Sequence, residues 1–120
     1  MNKKTKSQYL FIFRNSVRAP EPSPKEMEAI YGQWFAWIGT MAKKGQYASG
    51  DPLDDHGKVV RGPAGRKIHD GPFVEAKEVV SGYMIVNAPT LAAATRLAKG
   101  CPIYARGGSV EVRRIEHIEM

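Results

Sequence analysis

Apolar residues along this chain fall in two periods, and the switches between them mark out its elements. Tyr9-Leu10-Phe11-Ile12-Phe13-Arg14 is a short run of aromatic and β-branched residues, which predicts a first strand. A loop with two prolines, Asn15 to Pro22, leads to Ser23-Pro24-Lys25-Glu26. There Ser23 predicts an N-cap, Pro24 sits in the first turn, and Glu26 completes a capping box. Met27, Ile30, Tyr31, Trp34, Trp37, Ile38 and Met41 follow at helical spacing as one broad apolar stripe. That helix ends at Lys43-Lys44-Gly45, a cationic last turn followed by glycine.

Gln46 to Leu53 predicts a second strand, running into the polar turn Asp54-Asp55-His56-Gly57. Val59-Val60-Arg61 and Arg66-Lys67-Ile68 flank Gly62-Pro63-Ala64-Gly65, a hairpin pattern with a four-residue turn. Val79 to Asn87 predicts a longer strand. A second helix covers Leu91 to Lys99, capped by Thr90 and stopped by Gly100 and Pro102. Gly108 to Ile118 supplies the last strand, whose phase slips after Val112, so a bulge or an exit from the sheet is expected near Arg113-Arg114.

Without the hairpin, the order of these elements is the βαββαβ split of ferredoxin-like domains. The expected fold is therefore α+β, ferredoxin-like βαββαβ with an inserted hairpin. Residues 1–120 read as a single domain, with residues 1–7 a disordered N-terminal tail. Strand one and the Val79–Val86 strand are apolar on both faces, and two helices cover only one face of an antiparallel sheet. The simplest cover for the other face is the same sheet from a second copy, which predicts a homodimer closing into a dimeric α/β barrel.

Composition narrows the function. Hydrophobic residues make up 42% and charged residues 25% of the chain, enough apolar content for a folded core without metals or disulfides. Cys101 is the only cysteine, so an internal disulfide and a thiol metal cluster are both excluded within one chain. That favours a reduced, cytoplasmic protein, with Cys101 a semi-buried filler rather than a nucleophile. No apolar run approaches the roughly 20 residues that span a bilayer, so no membrane association is expected. The net charge of +6 permits salt-sensitive phosphate binding. The cations are scattered, however, with no basic reading helix and no basic-aromatic stacking motif, which argues against nucleic acid. The charge reads instead as solubility, or as attraction toward acidic small molecules.

The run His69-Asp70-Gly71-Pro72-Phe73-Val74-Glu75-Ala76-Lys77-Glu78 places a His-Asp pair and a Gly-Pro turn directly before a strand. Downstream come Gly82-Tyr83, Leu91-Ala92-Ala93-Ala94, Cys101-Pro102 and Gly108-Ser109-Val110-Glu111-Val112-Arg113. In this order and spacing, over about residues 9 to 114, the chain resembles the DGPF branch of the YCII-related proteins. The resemblance implies a dimeric ferredoxin-like α/β barrel, and for some members an association with extracytoplasmic sigma factors. The catalytic candidate of the YCII branch is a helix-one histidine with a nearby aspartate. Counting back from Gly45, that histidine position is Trp34 here, so the motif is absent at that point.

Each polar candidate carries two readings. Asp70 either caps its own turn, with Gly71 supplying an unusual φ, or points into a pocket and orients His69 or a substrate proton. Neighbours on a strand point opposite ways, so His69 and Asp70 share a site only if the turn begins between them. Asp51, in Gly50-Asp51-Pro52-Leu53, lies among uncharged residues on an apparently central segment, either a strand-end turn residue or a pocket carboxylate partnered by Lys77 or Arg113. Glu75 and Lys77 form either a charged edge or a pocket rim. Trp34 is core or the apolar wall of a pocket between helix and sheet, and Phe73 is a core plug or part of that pocket. Asp54-Asp55-His56 and His117 read as solvated surface, with no metal spacing.

No phosphate loop, dinucleotide glycine pattern or metal spacing is present, so no cofactor and no metal is expected. The chain reads as a binder of an unidentified small molecule in a pocket of the barrel, of regulatory type, with Trp34, Phe73, Glu75 and Lys77 as binding residues. One rival is a small cofactor-independent enzyme using Asp51, His69 and Asp70 for acid/base chemistry. The other is a partner-binding module linked to sigma-factor regulation.

Overall fold

The structure, a computed structural model, describes residues 7–16, 20–72 and 78–119. Its elements run β1 (Gln8–Ser16), α1 (Pro24–Lys43), β2 (Tyr47–Pro52), β3 (Gly57–Arg61), β4 (Lys67–Gly71), β5 (Glu78–Asn87), α2 (Leu91–Ala98) and β6 (Ser109–Arg114). Short 3-10 turns at Pro63–Gly65 and Pro102–Arg106 join β3 to β4 and α2 to β6. Of the tail expected over residues 1–7, all but Ser7 lies outside the described residues. The Ser7 carbonyl accepts a hydrogen bond from the Ala88 N–H at 3.1 Å.

Local signals account for the helices. Ser23 Oγ accepts from the Glu26 N–H at 3.1 Å, and the Glu26 carboxylate accepts from the Ser23 N–H at 2.8 Å, so the capping box closes. The backbone bond from Ser23 and its hydroxyl hold the Glu26 carboxyl below its usual range. Gly45 takes the left-handed φ of +73° that ends α1. Thr90 Oγ accepts from the Ala93 N–H at 3.0 Å and starts α2. Tyr31 falls outside the expected stripe and is 57% exposed, because it sits at the edge of the arc centred on Met27, Trp34 and Met41.

Four strands form an antiparallel sheet in the order β2-β5-β1-β6, compatible with a ferredoxin-like fold. Strands β3 and β4 pair separately as a two-stranded antiparallel ribbon, with Val60 opposite Ile68 and Lys58 opposite Asp70. The last strand stops at Arg114, where the phase of the apolar residues breaks.

Both helices lie on one face of the large sheet. Tyr9, Phe11 and Phe13 of β1 and Met84 and Val86 of β5 are buried there with Met41 of α1 and Ala94 and Ala98 of α2. Full burial of a side chain such as Phe11 or Val86 contributes about 1.5–3 kcal/mol. The alternate residues Leu10, Ile12, Tyr83 and Ile85 occupy the opposite face and are only half-buried. Polar groups flank them: Arg14 donates to Glu111 at 2.6 Å, and Arg113 reaches the same carboxylate at 3.2 Å. The two guanidinium groups hold Glu111 below the usual carboxylate range.

Gly108 marks the tightest backbone approach. A Cβ there would lie 2.4 Å from Ile103 Cγ1 and 2.7 Å from the Arg14 carbonyl. Gly32, on the exposed side of α1, has open space where a Cβ would stand. Gly108→Ala is expected to lower stability by about 1–3 kcal/mol. Gly32→Ala should raise it by about 0.5–1 kcal/mol. Urea denaturation of both variants checks the pair.

Candidate functional site

A cavity of about 410 Å³ opens between α1 and the β2–β5 half of the sheet. Its floor is made by glycine. Gly50 pairs with Met84 and Gly82 with Pro52, so two adjacent positions facing α1 carry no side chain. Their backbones are also close-packed: a Cβ on Gly50 would meet the Tyr83 carbonyl at 2.8 Å, and one on Gly82 the Asp51 carbonyl at 3.0 Å. A glycine inside a strand often marks such a close approach. Neither glycine is among the binding residues expected from the sequence, where Gly82 interrupting an apolar strand is the signal that marks the position.

Helix α1 supplies the wall and the rim. Trp34 meets Phe13 edge-on at 5.0 Å between ring centroids, and Ile30 and Ile38 flank it. Tyr31 and Phe35 stand at the rim, Phe35 with 71% of its surface exposed. Three uncharged polar side chains line the interior: Asn15, Tyr47 and Ser81. Ser81 is the extra residue where the β1–β5 register shifts beside Phe13, and its hydroxyl donates to the Phe13 carbonyl at 3.4 Å. The Asn15 amide has no hydrogen-bond partner among the described residues. Asn15, expected in the loop after the first strand, belongs to β1.

Among the described residues Asp51 is the one charged residue bordering the cavity; it pairs with Tyr83, so its side chain leaves the sheet face opposite α1, and its strand is not the central segment expected. Strand β2 pairs only with β5, so it is an edge strand and Asp51 is exposed. Its carboxylate accepts a hydrogen bond from the Tyr83 hydroxyl at 3.1 Å. That bond, and then the carboxylate's charge, push the Tyr83 phenol above its ordinary value.

His69 and Asp70 belong to β4 rather than to a turn. The ribbon register sets His69 opposite Val59 and Asp70 opposite Lys58, so the two side chains leave opposite faces. Asp70 is exposed and accepts a hydrogen bond from the Lys58 ammonium at 2.6 Å, while Gly71 continues the strand without a positive φ; the turn that Asp70 is expected to cap lies outside the described residues from position 73 on. Neither His69 nor Asp70 is among the described residues lining the cavity. Phe73, Glu75 and Lys77 lie outside the described residues.

The other candidates read as expected of solvated or inert groups. Asp54 and His56 are exposed, and the His56 backbone N–H and ring hold the Asp54 carboxyl below its usual range. Among the described residues no cluster of three ligand-type side chains could hold a metal. Cys101 is buried, and desolvation pushes its thiol up to about 12, which leaves almost no thiolate near neutral pH. Among the described residues no helix is long and apolar enough to cross a membrane.

The family model for the YCII-related domain matches residues 9–119. No curated protein matches the chain.

Two outcomes follow from this geometry. Asp51→Asn removes the charged acceptor, so the Tyr83 phenol should titrate closer to its ordinary value in an ultraviolet titration, with Tyr83→Phe identifying the signal. A phenol raised by folding adds stability in full below its unfolded pKa and loses it as pH rises through the folded value. The alkaline loss of stability should therefore shrink in Asp51→Asn. Asp70→Ala, which breaks the exposed ion pair with Lys58, should change unfolding free energy by at most about 1 kcal/mol in a urea melt.

Proposed function

We propose that this chain, which belongs to the YCII-related domain family, is a small-molecule-binding protein whose ligand seats beneath α1. The single observation that carries this reading is the glycine-floored cavity walled by Trp34. Among the described residues no lysine or arginine lines it, and the Asp51 carboxylate at its border is engaged by Tyr83 on the opposite sheet face. An uncharged, largely apolar ligand with a flat ring fits those walls. Asn15, Tyr47 and Ser81 are the groups able to orient a carbonyl or hydroxyl on it.

We further propose that the working form is a homodimeric α/β barrel closed through Leu10, Ile12, Tyr83 and Ile85. Those residues carry the apolar surface of the sheet face opposite the helices, and burying it twice over is the gain a second copy offers. The run Asp70-Gly71-Pro72-Phe73 supports membership of the DGPF branch. The lone Cys101 supports a reducing, cytoplasmic setting. If the chain does acid/base chemistry, Asp51 is the member of the Asp51, His69 and Asp70 set that borders the cavity, with its carboxylate turned to the opposite sheet face beside Tyr83.

The test uses 1-naphthol as a neutral aromatic probe, read by quenching of tryptophan fluorescence and by thermal shift. It should raise the melting temperature of the natural chain, and Trp34→Ala should weaken its binding by about tenfold. Asn15→Ala, which leaves the aromatic packing intact, should weaken it several-fold. Affinity unchanged in both variants would overturn the binding site. Sedimentation should give a dimer that Ile12→Arg dissociates, and a monomer at micromolar concentration would overturn the assembly alone.

A further inference from the structure

A second and larger cavity, of about 690 Å³, lies where the end of α1 approaches α2. Its walls come from four separate segments. They are Ser7 before β1, the Lys44–Gln46 turn after α1, the Asn87–Pro89 turn after β5, and one face of α2 carrying Ala93, Arg96 and Leu97. The α2 residues stand three and four apart, so they share that face.

The backbone of these walls is already hydrogen-bonded. The Gln46 N–H donates to the Met41 carbonyl at 2.8 Å, and the Asn87 N–H donates to the Gln46 carbonyl at 2.7 Å. The Asn87 side chain is engaged on both sides, donating to the Gly45 carbonyl at 3.1 Å and accepting from Gln8 at 3.0 Å. The turns are therefore held in place, and the groups left to act are side chains.

Those side chains have one electrostatic character. Lys44 and Arg96 both line the cleft, and neither has a carboxylate partner among the described residues. Among the described residues no aspartate or glutamate contributes to the lining. The Gln46 amide and the Ser7 hydroxyl add neutral donors, and Ala88, Ala93 and Leu97 supply apolar surface beside them. Two unneutralised cations in a concavity concentrate positive potential there, and a chain of net charge +6 draws anions toward it. The guanidinium offers a planar pair of donors that matches two oxygens of a carboxylate or phosphate, and the ammonium adds a mobile point charge.

We propose that this cleft is a binding site for a small organic anion, a carboxylate or phosphate monoester with an apolar body. Lys44 and Arg96 hold the charged head, and Leu97 and Ala93 contact the remainder. The site is independent of the cavity beneath α1, which is lined by neither residue.

The experiment titrates the full chain with 1-naphthyl phosphate and 1-naphthoate at low salt, followed by backbone amide resonances. Both anions should shift the amides of Gln46, Asn87, Ala93 and Leu97. The double variant Lys44→Ala/Arg96→Ala should bind them about tenfold or more weakly, and added salt should weaken binding to the natural chain. Both side chains are exposed, and an unchanged amide spectrum elsewhere verifies that the double variant is folded. Trp34→Ala should leave anion binding unchanged, while neutral 1-naphthol should leave the cleft amides unshifted, so failure at one cavity is distinguishable from failure at the other. Anions that shift none of these amides, that shift only Trp34 and its neighbours, or that bind the double variant as tightly would each overturn the proposal.

Discussion

The distance between α1 and the sheet is set by aromatic rings, and the candidate site follows from where those rings stop. Phe11 stacks on Trp37 at 6.2 Å and 11°, while Phe13 meets Trp34 edge-on at 5.0 Å. Trp37 is tied down further, its indole N–H donating to the Leu97 carbonyl at 3.1 Å, which couples α1 to α2. These rings hold the helix off β1 by the thickness of large side chains. Over β5 and β2 the same gap meets Gly82 and Gly50, which have nothing to fill it with. A spacer on one side and bare backbone on the other leave an opening, because a straight helix cannot follow both levels.

The second constraint is that two helices cover one face of the sheet. Tyr9, Phe11 and Phe13 vanish beneath them, whereas Leu10 and Ile12, one residue along, stay half-buried on the other side. That face is neither a finished core nor an ordinary solvated surface. Its centre is aliphatic and aromatic, and its margins carry the Arg14–Glu111–Arg113 network and the Tyr83–Asp51 bond. Apolar centre and polar margin is the layout of a protein interface, and it is why the assembly and the binding cavity are separate questions in this chain.

Charge is distributed by the same logic of location. Asp51 tolerates its position because an edge strand lets water and one phenol satisfy it, and no buried counter-ion is needed. Lys58 and Asp70 satisfy each other across the ribbon. Lys44 and Arg96 stand apart from this pattern, since no described residue lining their cleft carries a carboxylate.

Short-range physics governs the parts of this protein that its amino-acid order makes legible. The Ser23 and Thr90 caps, the left-handed Gly45, the α1 stripe and the pairing of β3 with β4 all depend on residues a few positions apart. Their hydrogen bonds and periodicity can be read from one segment at a time. The family, too, was legible in the ordered run of motifs from Asp70 onward. Tertiary structure alone decided the rest. Asp51 became an edge residue because β5, more than thirty positions away, is the single neighbour of β2. His69 and Asp70 parted because the register of the ribbon, not their adjacency, sets which face each takes. Gly50 and Gly82 became a floor only when paired strands brought them together under Trp34. Each of these outcomes depends on contacts between distant segments, whose register no single stretch of residues encodes.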